Sequence, residues 1–343
     1  MTGMDSATST PDEKSLVSCI SLSISHPFHP SLPSFSQSPN MDRRWRKWQL
    51  GVPSNWSTNT VPSPGANVTF SGTIQTTVDL QVNRIVGTLT FDSSADAFTL
   101  NSYTLIPSAI NNNSSQPQTI NSTIELTGNR TFTAASAPLI YNTIHLSDSA
   151  VNRTLTMAGA SNHLVTGSIT NGLSTASNLT KTGSGTLTLS GNSPNTYTGL
   201  TTVASGTLEL NKTPGVNAIN GNLLVQSSGT LLLSQSDQIN NTSNLTLAGG
   251  TFSTQGFSET LGVLTLSASS TLDLGSGNSI LQFANSSSAF WNSSAQLQIL
   301  NWSGSTNGGG TDQIYFGTNS SGLTPTKLAQ IVFVNPQGLA PGI

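Results

Sequence analysis

The sequence predicts an all-β chain: a right-handed parallel β-helix or solenoid with aromatic-containing caps at both ends. Three observations carry this expectation. Short runs alternate polar and apolar residues, as in "TLTF" (88–91), "TIEL" (123–126), "TLTM" (154–157), "TLTL" (186–189) and "TLEL" (207–210), so one side of each run faces a core. The runs resemble one another, and the unit from Leu187 to Leu208 is 21 residues long, within the range of a solenoid turn. Only 7% of the 343 residues are charged, against about 25% in ordinary soluble domains, so the outward positions are left to Thr, Ser and Asn that can stack in ladders. Hairpin sandwiches also space strands at 8 to 12 residues, but internal similarity and the uncharged exterior favour the solenoid.

Residues 1–42 are expected to be a disordered leader, rich in Ser and Pro and too poor in apolar residues to offset the entropy of ordering. It lacks the basic start and apolar run of a secretory signal. "LVSC" at 16–19 has the look of a lipoprotein cleavage box without the apolar run that should precede it. The change of composition at Met41 suggests a start nearer to that residue. Residues 43–72 are read as a Trp-rich capping segment holding Trp45, Trp48 and Trp56. Residues 73–290 are read as the solenoid, with Leu187, Leu189, Leu208, Leu210, Leu231, Leu233, Leu245, Leu247, Leu264, Leu266, Leu272 and Leu274 filling one interior. Roughly eleven rungs about 4.8 Å apart would make a rod on the order of 50 Å long. Residues 291–343 are read as the C-terminal cap, around Trp291 and Trp302, because a solenoid's ends expose strand edges.

Composition also limits the chemistry. Net charge is -3, and four of the eleven basic residues are Arg43, Arg44, Arg46 and Lys47, so the folded part offers no basic stripe for nucleic acid. Cys19 is the lone cysteine, which leaves no partner for an intrachain disulfide. No stretch of some 18 apolar residues suggests a membrane helix. His145 and His163 are expected in solvent or turns, without zinc-ligand spacing, and no calcium-binding nonapeptide pattern occurs. No metal or cofactor is expected. Asp92 and Asp96 are the closest acidic pair of the core and fall in a turn; Glu209 and Asp273 take outward strand positions. Catalysis is therefore not expected, since glycoside hydrolysis would need carboxylates gathered about 5 to 9.5 Å apart. Thr88 with Thr90, Thr131 with Thr133, Thr154 with Thr156 and Thr186 with Thr188 each share a strand face, a possible array for ice or a crystalline glycan. "KTGSG" at 181–185 lacks the spacing of a phosphate loop, because Lys181 precedes the glycines and strand follows. Lys181 is expected to face solvent.

The unit at 181–210, "KTGSGTLTLSGNSPNTYTGLTTVASGTLEL", closely resembles the autotransporter-associated β-strand repeat of bacterial passenger regions. Its marks are Gly183, Gly185, Leu187, Leu189, Gly191, Asn195, Tyr197, Gly199, Thr202, Val203, Gly206, Leu208 and Leu210. "NWSTNTVPSPGANVTFSG" (55–72) is similar to the opening of such proteins. The segment 297–342 is similar to one that precedes a PEP-CTERM sorting tail in some relatives; the tail's own motif does not occur. The resemblance implies a non-enzymatic extracellular or cell-surface rod, adhesin-like or structural, monomeric, with an extracellular glycan or matrix as its partner. A polysaccharide lyase or hydrolase on the same scaffold is the alternative, and a glycan- or ice-binding solenoid the third reading.

Overall fold

The computed structural model describes residues 48–73, 76–304, 310–334 and 336. The expectations for the leader, for Trp45 and for the last residues lie outside that range. Nearly all the described structure is β, stacked in parallel as a solenoid of about ten turns. The exceptions are a 3-10 turn at Pro53–Asn55 and one helical turn at Pro325–Leu328.

Each turn visits three faces in the same order. One turn runs through Thr99–Asn101 on the first face, the start of Thr104–Asn112 on the second and the end of that strand on the third. It then returns to the first face at Gln118–Ile120. From Val78 to Leu272, successive levels of the first face lie 20 to 24 residues apart. Leu187 pairs directly with Leu208, so the 21-residue unit is one turn. Beyond Leu272 the turns lengthen: Ile299 is 27 residues on and Phe333 a further 34.

Alternation decides which way each side chain points, and parallel register stacks equivalent positions into columns. On the third face one interior column reads Val68, Leu89, Ile110, Phe132, Met157, Lys181, Val203, Val225, Leu247, Leu266 and Trp291. All twelve leucines expected in the interior are buried, each contributing about 1.5 to 3 kcal/mol. At the corners, backbone pairing is completed by asparagines whose side-chain carbonyls accept an N–H from a neighbouring turn: Asn67 from Thr88, Asn129 from Thr154, Asn162 from Thr186, Asn178 from Leu200 and Asn244 from Val263. An Asn at a corner satisfies a donor that no strand can reach.

The two ends differ. At the first, Trp56 is buried and its indole N–H donates to the carbonyl of Leu50 at 3.0 Å, with Val68 and Phe70 fully covered. At the second, Trp302 packs edge-on against Phe333 at 5.0 Å, yet Ile314, Phe316, Ile331 and Phe333 remain half-buried. They line an apolar cavity of about 480 Å³.

Candidate functional site

The repeat at 181–210 opens on a strand, Asn178–Lys181, that continues the interior parity of Leu179. Lys181 therefore points inward, where Met157 stands one turn before and Val203 one turn after. Its side chain is 1% exposed, which corrects the expectation that it faces solvent. The ammonium donates to the carbonyls of Thr182 at 2.6 Å, Gly183 at 2.8 Å and Ser205 at 3.4 Å. Three carbonyls replace lost water, as a buried charge requires. Burial still lowers the Lys181 pKa, to about 8.

The glycines make this cage possible. Gly206 has φ +69°, and a Cβ there would meet the carbonyl oxygens of Gly183 and Gly185 and come within 2.9 Å of the Lys181 Nζ. Gly183, at φ +74°, would press a Cβ into the Gly159 carbonyl of the turn before. Gly185, Gly191 and Gly199 likewise face a carbonyl of a neighbouring turn with no room for a side chain. Leu187, Leu189, Leu208 and Leu210 are fully buried, and so is Tyr197, whose hydroxyl pairs with Thr201 Oγ1 at 2.7 Å.

Other interior polar groups cluster in the same turns. Lys212 continues the parity of Leu208 and Leu210 and is 0% exposed; its ammonium donates to Gly167 and Ser190 carbonyls, both at 2.9 Å, tying together three successive turns. Its own N–H donates to Gln238 Oε1 at 2.8 Å, and the Gln238 N–H donates to Glu259 Oε2 at 2.7 Å. Burial raises the Glu259 pKa to about 8, against the opposing pull of the Gln238, Thr260 and Ile239 N–H groups that donate to its carboxyl. Asn195 stands where the second face lacks a strand: its Oδ1 accepts from Ile169 N–H and its amide donates to the Ala218 carbonyl, both at 2.8 Å. His163, expected in solvent or a turn, is 0% exposed; its alternation with Val165 turns it into the core.

The exterior carries threonine rows. On the third face one row runs Thr88, Ala109, Thr131, Thr156, Thr180, Thr202, Leu224, Thr246 and Thr265. On the first face a second row runs Thr186, Thr207, Thr230, Thr251 and Thr271 without interruption. Thr88, Thr131 and Thr156 thus share a row, whereas Thr186 belongs to another face. Neighbouring rungs are about 4.8 Å apart, so each row is a line of hydroxyls and methyls at rung spacing. Beside the second row, Glu209 accepts from Thr188 Oγ1 at 2.8 Å and Ser234 Oγ at 2.7 Å.

The carboxylates serve turns and ladders. Asp92 accepts from the Ser94 N–H at 2.8 Å, Asp96 from the Ala97 N–H at 2.8 Å, Asp273 from the Gly275 N–H at 3.0 Å and Asp312 from the Ser279 N–H at 2.8 Å. Asp148 pairs with Arg153 at 2.8 Å. Among the described residues, no three His, Cys, Asp or Glu side chains converge as a metal site, and no helix is long and apolar enough to cross a membrane.

Comparison with known proteins agrees with this geometry. No curated protein and no solved structure matches the chain. Residues 179–210 match the passenger-associated-transport-repeat family, a stretch that begins two residues before Lys181 and ends at Leu210. The caged lysine, the glycine corner and the stacked leucines all lie in that stretch; residues 179–210 match the passenger-associated-transport-repeat family and lie within a β-solenoid, a combination that fits a passenger-type domain.

Proposed function

We propose that the chain is a non-enzymatic rod held outside the cell or on its outer surface, and that its threonine rows contact an ordered extracellular glycan. The repeat family supports the location, because passenger-associated repeats imply a secreted or surface-exposed protein. The observation that carries the contact role is the alignment of outward threonines over consecutive turns. A rigid row of hydroxyls and methyls at fixed spacing presents the same chemistry many times, so weak contacts add along a periodic solid. The leucine interior and the parallel ladder supply the stiffness that such repetition needs. A polysaccharide-degrading enzyme on this scaffold has less support, since the carboxylates placed above are engaged in turns and ladders.

Sedimentation with crystalline cellulose and chitin tests the proposal, alongside an ice-recrystallisation assay and a polysaccharide-degradation assay. The wild-type chain is expected to sediment with at least one glycan. A variant carrying Thr207→Lys, Thr230→Lys and Thr251→Lys should bind about tenfold more weakly, equivalent to roughly 1.4 kcal/mol. A folded wild-type chain that stays in solution with both solids overturns the contact role, and reducing sugar released at a steady rate would favour the enzyme.

A further inference from the structure

His163 sits in the corner between the third and first faces, one turn before the Gly183 corner and two before that of Gly206. Its Nε2 lies 2.8 Å from the Ala158 carbonyl, which can only accept, so Nε2 carries the proton. Its Nδ1 lies 3.2 Å from the Tyr141 hydroxyl, which donates to it, and the two rings stack at 5.9 Å with planes 10° apart. Both nitrogens are satisfied by the neutral imidazole, and the ring is sealed from water.

The elements packed around it offer no counter-charge. Leu139–Tyr141 contributes Tyr141, held neutral by burial. Asn178–Lys181 contributes the Lys181 ammonium. Thr154–Ala158 and Thr186–Gly191 contain no ionisable side chain. We infer that this corner is an acid-labile joint: protonating His163 puts a second cation beside the Lys181 ammonium inside the core, and the turns from Thr154 to Gly191 loosen before the rest of the rod.

Burial, with a smaller contribution from Lys181, holds the His163 pKa at about 4, against an ordinary 6.5. A group with a depressed folded pKa contributes stability above its unfolded pKa and loses it as pH falls through the folded one. The window is therefore pH 6.5 down to 4, and the linked opening equilibrium should rise about a hundredfold across it.

Hydrogen exchange on the full chain at pH 7.0, 5.5 and 4.0, corrected for intrinsic rates, tests the joint. Protection is expected to fall first in 154–158, 163–165, 178–181 and 186–191, while 68–70 and 88–91 stay protected. In His163→Gln, which keeps polar contacts but does not titrate, this selective loss should disappear; Lys181→Met should reduce it. Should the His163 variant not fold, imidazole titration of the wild-type chain by NMR decides. His163 protonating near pH 6.5 with the surrounding amides still protected, or a loss of protection uniform along the rod, overturns the inference.

Discussion

The turns from Val68 to Leu105 and those from His163 to Gln238 are laid on the same three faces and filled by opposite means. The first set is packed with aromatic rings: Phe70 stacks on Phe91 at 5.3 Å, and Phe98 lies 5.1 Å from Phe70 and 6.1 Å from Phe91. The second set holds Lys181, Lys212, Asn195, Gln238 and His163 at similar depth. The corners differ to match. Arg84–Phe91 and Thr104–Asn112 run unbroken from the second face to the third. Thr201–Lys212 and Leu223–Leu233 run unbroken from the third face to the first, with a register shift between Val203 and Ser205. At these corners the carbonyls of Thr182, Gly183 and Ser205 meet the Lys181 ammonium, which occupies a position that an apolar side chain fills elsewhere. A solenoid column specifies depth and spacing, while the local corner decides polarity.

Five experiments would break or sharpen this contrast. The largest effect is expected from Leu187→Asp, which places an unpaired carboxylate in the fully buried leucine interior; cooperative folding should be lost, as circular dichroism and thermal melts would record. Retention of a cooperative melt within a few degrees of wild type would show that the interior is not dry. Next, Phe91→Ala should cost about 3 to 5 kcal/mol by denaturant unfolding, because the two neighbouring rings cannot close the void. A value below about 1 kcal/mol would mean that the aromatic set is loosely packed.

In the polar set, Gly206→Ala should cost about 2 to 3 kcal/mol, from the left-handed backbone and the crowded carbonyls together. Lys181→Met, which copies the residue one turn earlier, should cost about 1 to 2 kcal/mol, as the corner carbonyls lose their donor. A Met variant more stable than wild type would make the lysine a burden on the fold. The effect smallest per pH unit concerns Glu259, whose pKa is raised from 4.5 to about 8. A raised folded pKa means that stability is present below the unfolded value and lost as pH climbs through the folded one, so the Glu259 contribution to stability should decline from pH 4.5 to 8 by at most about 1.4 kcal/mol per unit, opposed below pH 6.5 by the His163 contribution of opposite slope. Glu259→Gln should flatten that slope in melts collected across the window. An unchanged slope would assign the decline to other groups.

The fold was legible because alternation and a 21-residue unit are both local signals. "TLTL" and "TLEL" show which side chains are buried, and their similarity shows that they stack. The interior lysines were legible too, by the same rule carried two residues further: "NLTK" places Lys181 in the parity of Leu179, and "LELNK" places Lys212 in the parity of Leu208 and Leu210. Residue type argued against burial there, and parity prevailed, because the corner carbonyls replace the water an ammonium gives up. His163 was harder to read, since Leu164 beside it competes for the interior, and only its pairing between Leu139 and Leu187 fixes which of the two points inward.

The sequence alone determined that this protein is built from strands, that leucines form its core, that glycines and asparagines occupy its corners and that residues 179–210 match a transport-associated repeat. Period two, turn chemistry and self-similarity are properties of neighbours along the chain. Tertiary structure decided which threonines align, which carbonyls surround Lys181 and Lys212, and that Asn195 stands in for a missing strand. Those relations join residues about twenty to forty-five positions apart, and they exist only once the register between turns has been set.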